Sequence, residues 1–78
     1  MNVLLSTLSD ALEVSLEDTL NYDADAPLSS MGLDSLKFIR WIVLIEEKIS
    51  REILVEDMIF ERFATINTAM ETLKKYES

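Results

Sequence analysis

The chain has 78 residues, enough for one small domain predicted to span residues 1–78, and its 49% of hydrophobic residues excludes a disordered protein. A single glycine and a single proline argue against a turn-rich β fold, and the lack of cysteine excludes disulfides and thiolate metal sites. Fifteen acidic residues against seven basic ones give a net charge of −8, which predicts neither a nucleic-acid partner nor a membrane partner.

The predicted fold is all-α, a small four-helix bundle of three longer helices and one short helix. The first helix is predicted over residues 2–15, because leucines recur every fourth residue with polar residues between them. The leucines expected to face the core are Leu4, Leu8, Leu12 and Leu16. The first residues show neither a basic region nor a signal cleavage site, so a free-standing, cytoplasmic monomer is expected.

A long loop is predicted over residues 17–32, where residues that favour turns replace the periodic pattern. Apolar side chains are spread through this segment, so we expect them to pin the loop to the core. They are Leu16, Leu20, Tyr22, Leu28, Met31 and Leu33.

The same segment partly matches a calcium-binding loop. Asp23 and Asp25 occupy its first and third ligand positions, and Asp34 falls at the twelfth. Pro27 and Leu28 stand where such a loop needs an oxygen ligand and a glycine. A solvated acidic loop without a metal is therefore the favoured interpretation.

The second long helix is predicted over residues 36–50 from apolar residues at three- and four-residue steps. The side chains expected to point inward are Ile39, Trp41, Ile42, Ile45 and Ile49. This helix is expected to form the centre of the domain.

A connection over residues 50–57 and a short helix over residues 58–62 are predicted next. Thr65 is then a suitable N-cap for the last helix, and Lys74 and Lys75 suit its negative C-terminal end. The inward stripe of this helix is predicted to contain Ile66, Ala69, Met70 and Leu73.

A hydroxyl and a carboxylate stand together at the start of the second long helix, in the sequence Asp34-Ser35. Backbone N–H groups at a helix start lack intrahelical partners and favour an incoming phosphate, and Gly32 permits a sharp turn just before them. The chain has no histidine, and Lys37 does not face Ser35 on a helix, so no catalytic residue is predicted. Ser35 is predicted to be a modification site. The alternative is an ordinary capping pair.

Residues 27–36, Pro-Leu-Ser-Ser-Met-Gly-Leu-Asp-Ser-Leu, closely resemble the attachment site of acyl and peptidyl carrier proteins. Glu46 and Glu47 at the far end of the following helix, and Thr65 and Ile66 at the opening of the last one, extend the resemblance over essentially the whole chain. The resemblance implies a four-helix carrier domain that is not an enzyme.

In this family a phosphopantetheinyl transferase esterifies the serine with phosphopantetheine, which then holds an acyl or aminoacyl group as a thioester. The resemblance assigns attachment to Ser35, and assigns to Asp34 the positioning of the hydroxyl and of the magnesium–coenzyme A complex during loading. It implies three kinds of partner: the transferase, a loading enzyme and downstream biosynthetic enzymes. A carrier-like interaction module that is never loaded, or a small calcium-responsive helical protein, are the alternatives.

An exposed strip beside Ser35 is expected to contact partner enzymes. It consists of Leu36, Lys37, Arg40, Val43 and Glu47. In fatty-acid carriers the counterparts of Lys37 and Arg40 are typically acidic, so their reversal here favours a specialised polyketide, nonribosomal peptide or related pathway. Residues 60–66 also resemble peptidyl-type carriers. The alternatives are that both cations only balance nearby acids, or that the chain is a housekeeping fatty-acid carrier.

Two further groups of residues complete the expected surface and core. An acidic patch is expected at the far end of the second long helix and in the following connection, formed by Glu46, Glu47, Glu56 and Asp57. Four aromatic side chains are expected to pack in the core, the alternative being a pocket for an acyl chain. These aromatics are Phe38, Trp41, Phe60 and Phe63.

Overall fold

The computed structural model describes residues 2–76, which form helices joined by turns, and between these residues there is no strand. The α-helices are α1 (Asn2–Leu12), α2 (Leu16–Leu20), α3 (Ser35–Ile49) and α4 (Ile66–Leu73). Short 3₁₀ turns cover Leu28–Met31, Val55–Asp57, Phe60–Phe63 and Lys74–Tyr76. The predicted all-α class, with three longer helices and one short helix, is confirmed. None of the helices between residues 2 and 76 has the length and apolar character that a membrane crossing requires.

The first helix is shorter than predicted, because α1 ends at Leu12 and not at residue 15. Glu13 follows with a φ of 59°, a left-handed conformation that stops the helix. Ser15 then begins α2, since its hydroxyl accepts a hydrogen bond from the N–H of Asp18 at 3.1 Å. Two local capping signals therefore divide what the leucine spacing predicts as one continuous helix.

The short helix α2 lies inside the predicted loop, and its two leucines do not face the core. Leu16 and Leu20 are exposed, which contradicts the prediction for both residues. They are four residues apart and so lie on one side of α2, whereas Thr19 beside them is turned towards α1 and is buried. The hydroxyls of Ser9 and Thr19 are hydrogen-bonded at 2.8 Å, and this contact fixes which face of α2 meets α1.

The remainder of the predicted loop is pinned as expected. Leu28 and Leu33 are buried, and the N–H of Leu28 donates to the carbonyl of Ala64 at 2.7 Å. Tyr22 and Met31 are half-buried against the core. Because both ends of this segment contact the core, the start of α3 is held in a defined position.

The long helices α1 and α3 pack against each other around the single tryptophan. Trp41 is fully buried, and its indole Nε1 donates to the hydroxyl of Thr7 at 3.1 Å. Ile42 and Ile45 are also buried, as predicted, and Ile49 is half-buried. The prediction is wrong for Ile39, which is 58% exposed because it shares its helix face with other exposed residues.

The short helix predicted over residues 58–62 forms only in part, as a 3₁₀ turn over Phe60–Phe63. A second 3₁₀ turn, Val55–Asp57, lies in the predicted connection before it. Ile59 between them has extended backbone angles, φ −113° and ψ 124°, so the two turns cannot merge into one helix.

The last helix forms as the sequence predicts. Thr65 caps α4, and the hydroxyl of Thr68 accepts from the N–H of Thr65 at 3.0 Å, which completes a reciprocal capping pair. Ile66, Ala69 and Leu73 are buried, and Met70 is half-buried.

The four aromatic side chains pack together, as expected. Phe38 contacts Phe60 and Phe63 at ring-centroid distances of 5.4 and 5.3 Å, and Trp41 meets Phe63 edge-on at 5.5 Å. Such edge-to-face contacts stabilise a core beyond the burial of area alone. These side chains therefore fill the interior beneath the first two turns of α3.

Candidate functional site

A glycine turn leads the chain into α3. The 3₁₀ turn Leu28–Met31 ends at Gly32, whose φ of 102° is a left-handed value that an L side chain rarely adopts. The N–H of Leu33 then donates to the carbonyl of Leu28 at 3.2 Å, and the Leu33 side chain is buried. The buried leucine anchors the turn, so the next two residues emerge at the surface.

Asp34 alone supplies the N-cap of α3. Its Oδ1 accepts from the N–H of Lys37 at 2.9 Å, and its carbonyl accepts from the N–H of Phe38 at 2.8 Å. Ser35 is the first helical residue and is exposed, one position before the predicted start of this helix. The serine hydroxyl therefore lies at the surface and is not needed to begin the helix.

The surroundings of Ser35 favour a negatively charged group. The first N–H groups of α3 have no intrahelical partner, and the positive end of the helix dipole points towards them. The ammonium of Lys37 extends back over Gly32, 3.6 Å from the point that a Cβ on that glycine would occupy. The helix start thus favours a phosphate ester at Ser35, and the ammonium of Lys37 lies over the turn that precedes it.

The predicted strip along α3 is exposed, and the structure adds one residue to it. Leu36 is 79% exposed, Val43 is also exposed, and Ile39 lies between them on the same face. Sequence reasoning missed Ile39 because its apolar side chain was assigned to the core. Its spacing of three and four residues from the two others is the signal that could have found it.

The charged residues of the strip differ in their contacts. The guanidinium of Arg40 is 3.4 Å from a carboxylate oxygen of Glu13, the residue that follows α1, with both side chains largely exposed. Exposed pairs of this kind contribute only about 0 to 1 kcal/mol. Glu47 is exposed, whereas Lys37 is half-buried because it lies over the glycine turn.

The acidic patch predicted at the far end of α3 is smaller than expected. Glu47 and Glu56 are exposed, but Asp57 is only 2% exposed, so its assignment to the patch is wrong. Glu46 is half-buried, and its Oε2 accepts from the N–H of Ile53 at 2.9 Å. Two of the four carboxylates therefore stabilise the chain after α3 and do not simply face solvent.

The three carboxylates of the calcium-type pattern have separate structural partners. Asp23 accepts from the N–H of Asp25 at 2.9 Å, and Asp25 in turn accepts from the side-chain amide of Asn67. Asp34 is occupied with capping α3. Among residues 2–76, no group of three or more His, Cys, Asp or Glu side chains is arranged to hold a metal ion.

An apolar cavity of about 380 Å³ lies at the other end of α3 from Ser35. Its lining residues are Val3, Leu4, Ile45, Ile49, Met70, Leu73 and Tyr76. Ile45 and Ile49 are about 15 and 21 Å from Ser35 along the helix axis, at a rise of about 1.5 Å per residue. The cavity is thus separated from the serine by the aromatic side chains that fill the interior beneath it.

The buried carboxylate of Asp57 has three charged or polar side-chain partners. Asp57 accepts from the hydroxyl of Tyr76 at 2.5 Å and from the ammonium of Lys75 at 2.7 Å, and Arg62 approaches at 3.5 Å. The hydrogen bonds from Lys75 and then Tyr76 lower the pKa of Asp57, and the bond to Asp57 raises the pKa of Lys75. Burial, followed by the bond to Asp57, raises the pKa of Tyr76.

We expect this cluster to make the protein sensitive to acid. Because the folded-state pKa of Asp57 is below its ordinary 3.8, its contribution to stability is present above that value and is lost as the pH falls through the folded pKa. Urea unfolding between pH 7 and pH 2 should show a loss of stability below about pH 4. Asp57→Asn should be less stable at pH 7 and should flatten this part of the curve; an unchanged slope would contradict the assignment.

Comparison with protein families identifies one match. Residues 2–73 of the chain match the family model described as a phosphopantetheine attachment site. No curated protein and no solved structure was found to match. The family match covers all four α-helices, including the whole glycine turn and the start of α3.

Proposed function

The chain belongs to the phosphopantetheine attachment site family, and from this premise we propose that Ser35 carries the group and that the protein serves a specialised biosynthetic pathway. Membership makes the chain a phosphopantetheine-carrying protein, whose family interacts with a phosphopantetheinyl transferase and with partner enzymes. The observation that carries the assignment to Ser35 is its exposure in the first turn of α3, while Asp34 alone caps the helix.

Loading of the carrier is a phosphoryl transfer to the serine. The Ser35 oxygen forms an ester bond to the phosphorus that bears pantetheine in coenzyme A, and the pyrophosphate linkage of coenzyme A breaks. Adenosine 3′,5′-bisphosphate leaves, and the hydroxyl proton passes to a base on the transferase. The N–H groups at the start of α3 favour the resulting phosphodiester. When bound, phosphopantetheine supplies a thiol that holds acyl or aminoacyl groups as thioesters.

In this proposal the other residues of the chain present the carried group to partner enzymes and take no part in catalysis. Loading and downstream enzymes would dock on the strip along α3 formed by Leu36, Lys37, Ile39, Arg40, Val43 and Glu47. Its apolar residues provide contact area, and its charges orient the encounter. Lys37 and Arg40, which stand where related fatty-acid carriers have acids, support a specialised pathway over housekeeping fatty-acid synthesis.

The mass of the protein after exposure to a transferase tests this function. Incubation with coenzyme A, magnesium and a broad-specificity phosphopantetheinyl transferase should add one phosphopantetheine group, measured on the intact protein. Peptide mapping should locate the group on Ser35. A protein that gains no mass while remaining folded would instead be an unloaded interaction module.

Two variants of Asp34 separate its role in loading from its role as a helix cap. Asp34→Asn keeps a good N-cap, because asparagine also accepts from the N–H of Lys37, but removes the carboxylate. We expect this variant to retain its melting temperature and to be loaded at least about tenfold more slowly, the effect of losing a group that positions the reactants. Asp34→Ala should lose loading and also about 1 kcal/mol of stability. Normal loading of Asp34→Asn would leave capping as the residue's sole role.

A further inference from the structure

The connection between α3 and α4, residues 50–65, carries an exposed apolar patch. The patch consists of Leu54, Val55, Met58 and Ile59, and Val55 is 84% exposed. Four exposed apolar side chains within residues 54–59 are typical of a site that contacts another molecule. Two short 3₁₀ turns make up this part of the connection, so helical hydrogen bonding alone does not fix its shape.

The apolar patch is joined to the helix that carries the candidate attachment site. Ile59 immediately precedes Phe60, whose ring contacts Phe38 edge-on at 5.4 Å. Phe38 is one helical turn after Ser35. The patch is thus connected through Phe60 and Phe38 to the first turn of α3, the turn that carries Ser35.

The C-terminal turn holds the patch in place through Tyr76 and Asp57. The Tyr76 hydroxyl donates to Asp57 at 2.5 Å and accepts from the N–H of Leu54 at 3.0 Å, so it contacts both ends of the Leu54–Asp57 segment. Arg51 donates to the carbonyl of Tyr76 at 3.2 Å, and its guanidinium lies 5.6 Å from the centre of the tyrosine ring. The phenol is buried, which excludes competing water.

We propose that Asp57 and Tyr76 form a latch that fixes the apolar patch for docking of the enzymes that act at Ser35. The proposal rests on the proposed function of Ser35. Both latch residues lie away from the serine and act through the patch, so they are positioning residues. The loss of the phenolic hydroxyl leaves the Leu54 N–H without its partner and frees the turn that carries Val55.

The partner that fits this patch is an enzyme with an apolar docking surface bordered by basic side chains. The exposed acids Glu52 and Glu61 lie in the connection on either side of the apolar residues, and Glu56 lies among them. Acids around an apolar centre favour a partner with the opposite charges at its rim. The basic side chains of the partner would meet these acids, whereas Lys37 and Arg40 on the strip along α3 would meet a different part of the same partner.

The kinetics of loading test the latch, with the broad-specificity transferase and coenzyme A as the probe. Tyr76→Phe keeps the ring and removes the hydroxyl. We expect it to raise KM for the carrier by about fivefold with kcat unchanged, because docking is weakened and the chemical step is unaffected. Amide hydrogen exchange at Leu54 should accelerate in the same variant. Val55→Ser should also raise KM but leave the exchange of Leu54 unchanged, because it alters the patch and not the latch.

A matched control variant lowers the stability of the protein at a position away from the latch. Thr68→Ala breaks the capping pair of α4 without touching the latch, and it should leave KM and the exchange of Leu54 as they are. If Tyr76→Phe accelerates exchange but leaves KM unchanged, or if Thr68→Ala raises KM equally, the latch does not position a docking surface. A wild-type protein that accepts no phosphopantetheine contradicts the proposed function instead, and is seen before any variant is compared.

Discussion

Replacing Ser35 by alanine should abolish phosphopantetheine loading completely while leaving the fold intact. Loading requires the serine oxygen as nucleophile, and alanine offers none. The fold does not require it, because Ser35 is exposed and Asp34 supplies the cap of α3. Alanine is also a better helix former than serine, so we expect a change of less than about 0.5 kcal/mol in the free energy of unfolding. Intact mass and urea unfolding measure the two expectations.

The serines nearest in sequence provide the control for this variant. Ser29 and Ser30 are exposed in the 3₁₀ turn Leu28–Met31, so a transferase could reach them as well. Ser29→Ala and Ser30→Ala should be loaded like the wild type. Mass gain in Ser35→Ala, or a phosphopantetheinyl peptide that contains either upstream serine, would overturn the assignment.

The parts of the fold that sequence predicts are those with a local cause. The positions of α3 and α4 follow from apolar periodicity and from capping residues, Asp34 and Thr65, which act within one turn of themselves. The short helix α2 was not predictable in this way, because a helix of five residues is unstable alone. It depends on the contact between Thr19 and Ser9, which only the tertiary structure provides.

The residues of the candidate site also differ in whether a local sequence pattern predicts them. Gly32, Asp34 and Ser35 lie within four positions, so composition and spacing were sufficient to predict an exposed serine at a helix start. Ile39 was assigned to the core because its side chain is apolar, and only the packing of α3 shows that it faces outward. The burial of Asp57 requires Tyr76, 19 residues later, and no local pattern indicates that pairing.

The charges of the strip are expected to control partner choice. Lys37→Glu and Arg40→Glu together should improve the loaded carrier as a substrate for fatty-acid synthase enzymes with basic docking patches, and should impair it with its own partners. Electrostatic complementarity acts mainly on association, so we expect about a tenfold change in kcat/KM at low salt that shrinks at moderate salt.

The two positions should contribute unequally, because the structure gives them different surroundings. Arg40 is paired with Glu13, just after α1, so its reversal also breaks an exposed ion pair, whereas Lys37 extends over Gly32 in the turn that precedes α3. We therefore expect Lys37→Glu alone to give the larger share of the change. Lys48→Glu with Lys74→Glu alters the net charge equally, and tests whether charge alone is responsible. If this control matches the double variant, or if native partners accept the double variant equally well at both ionic strengths, the strip does not select partners and the specialised pathway loses its main support.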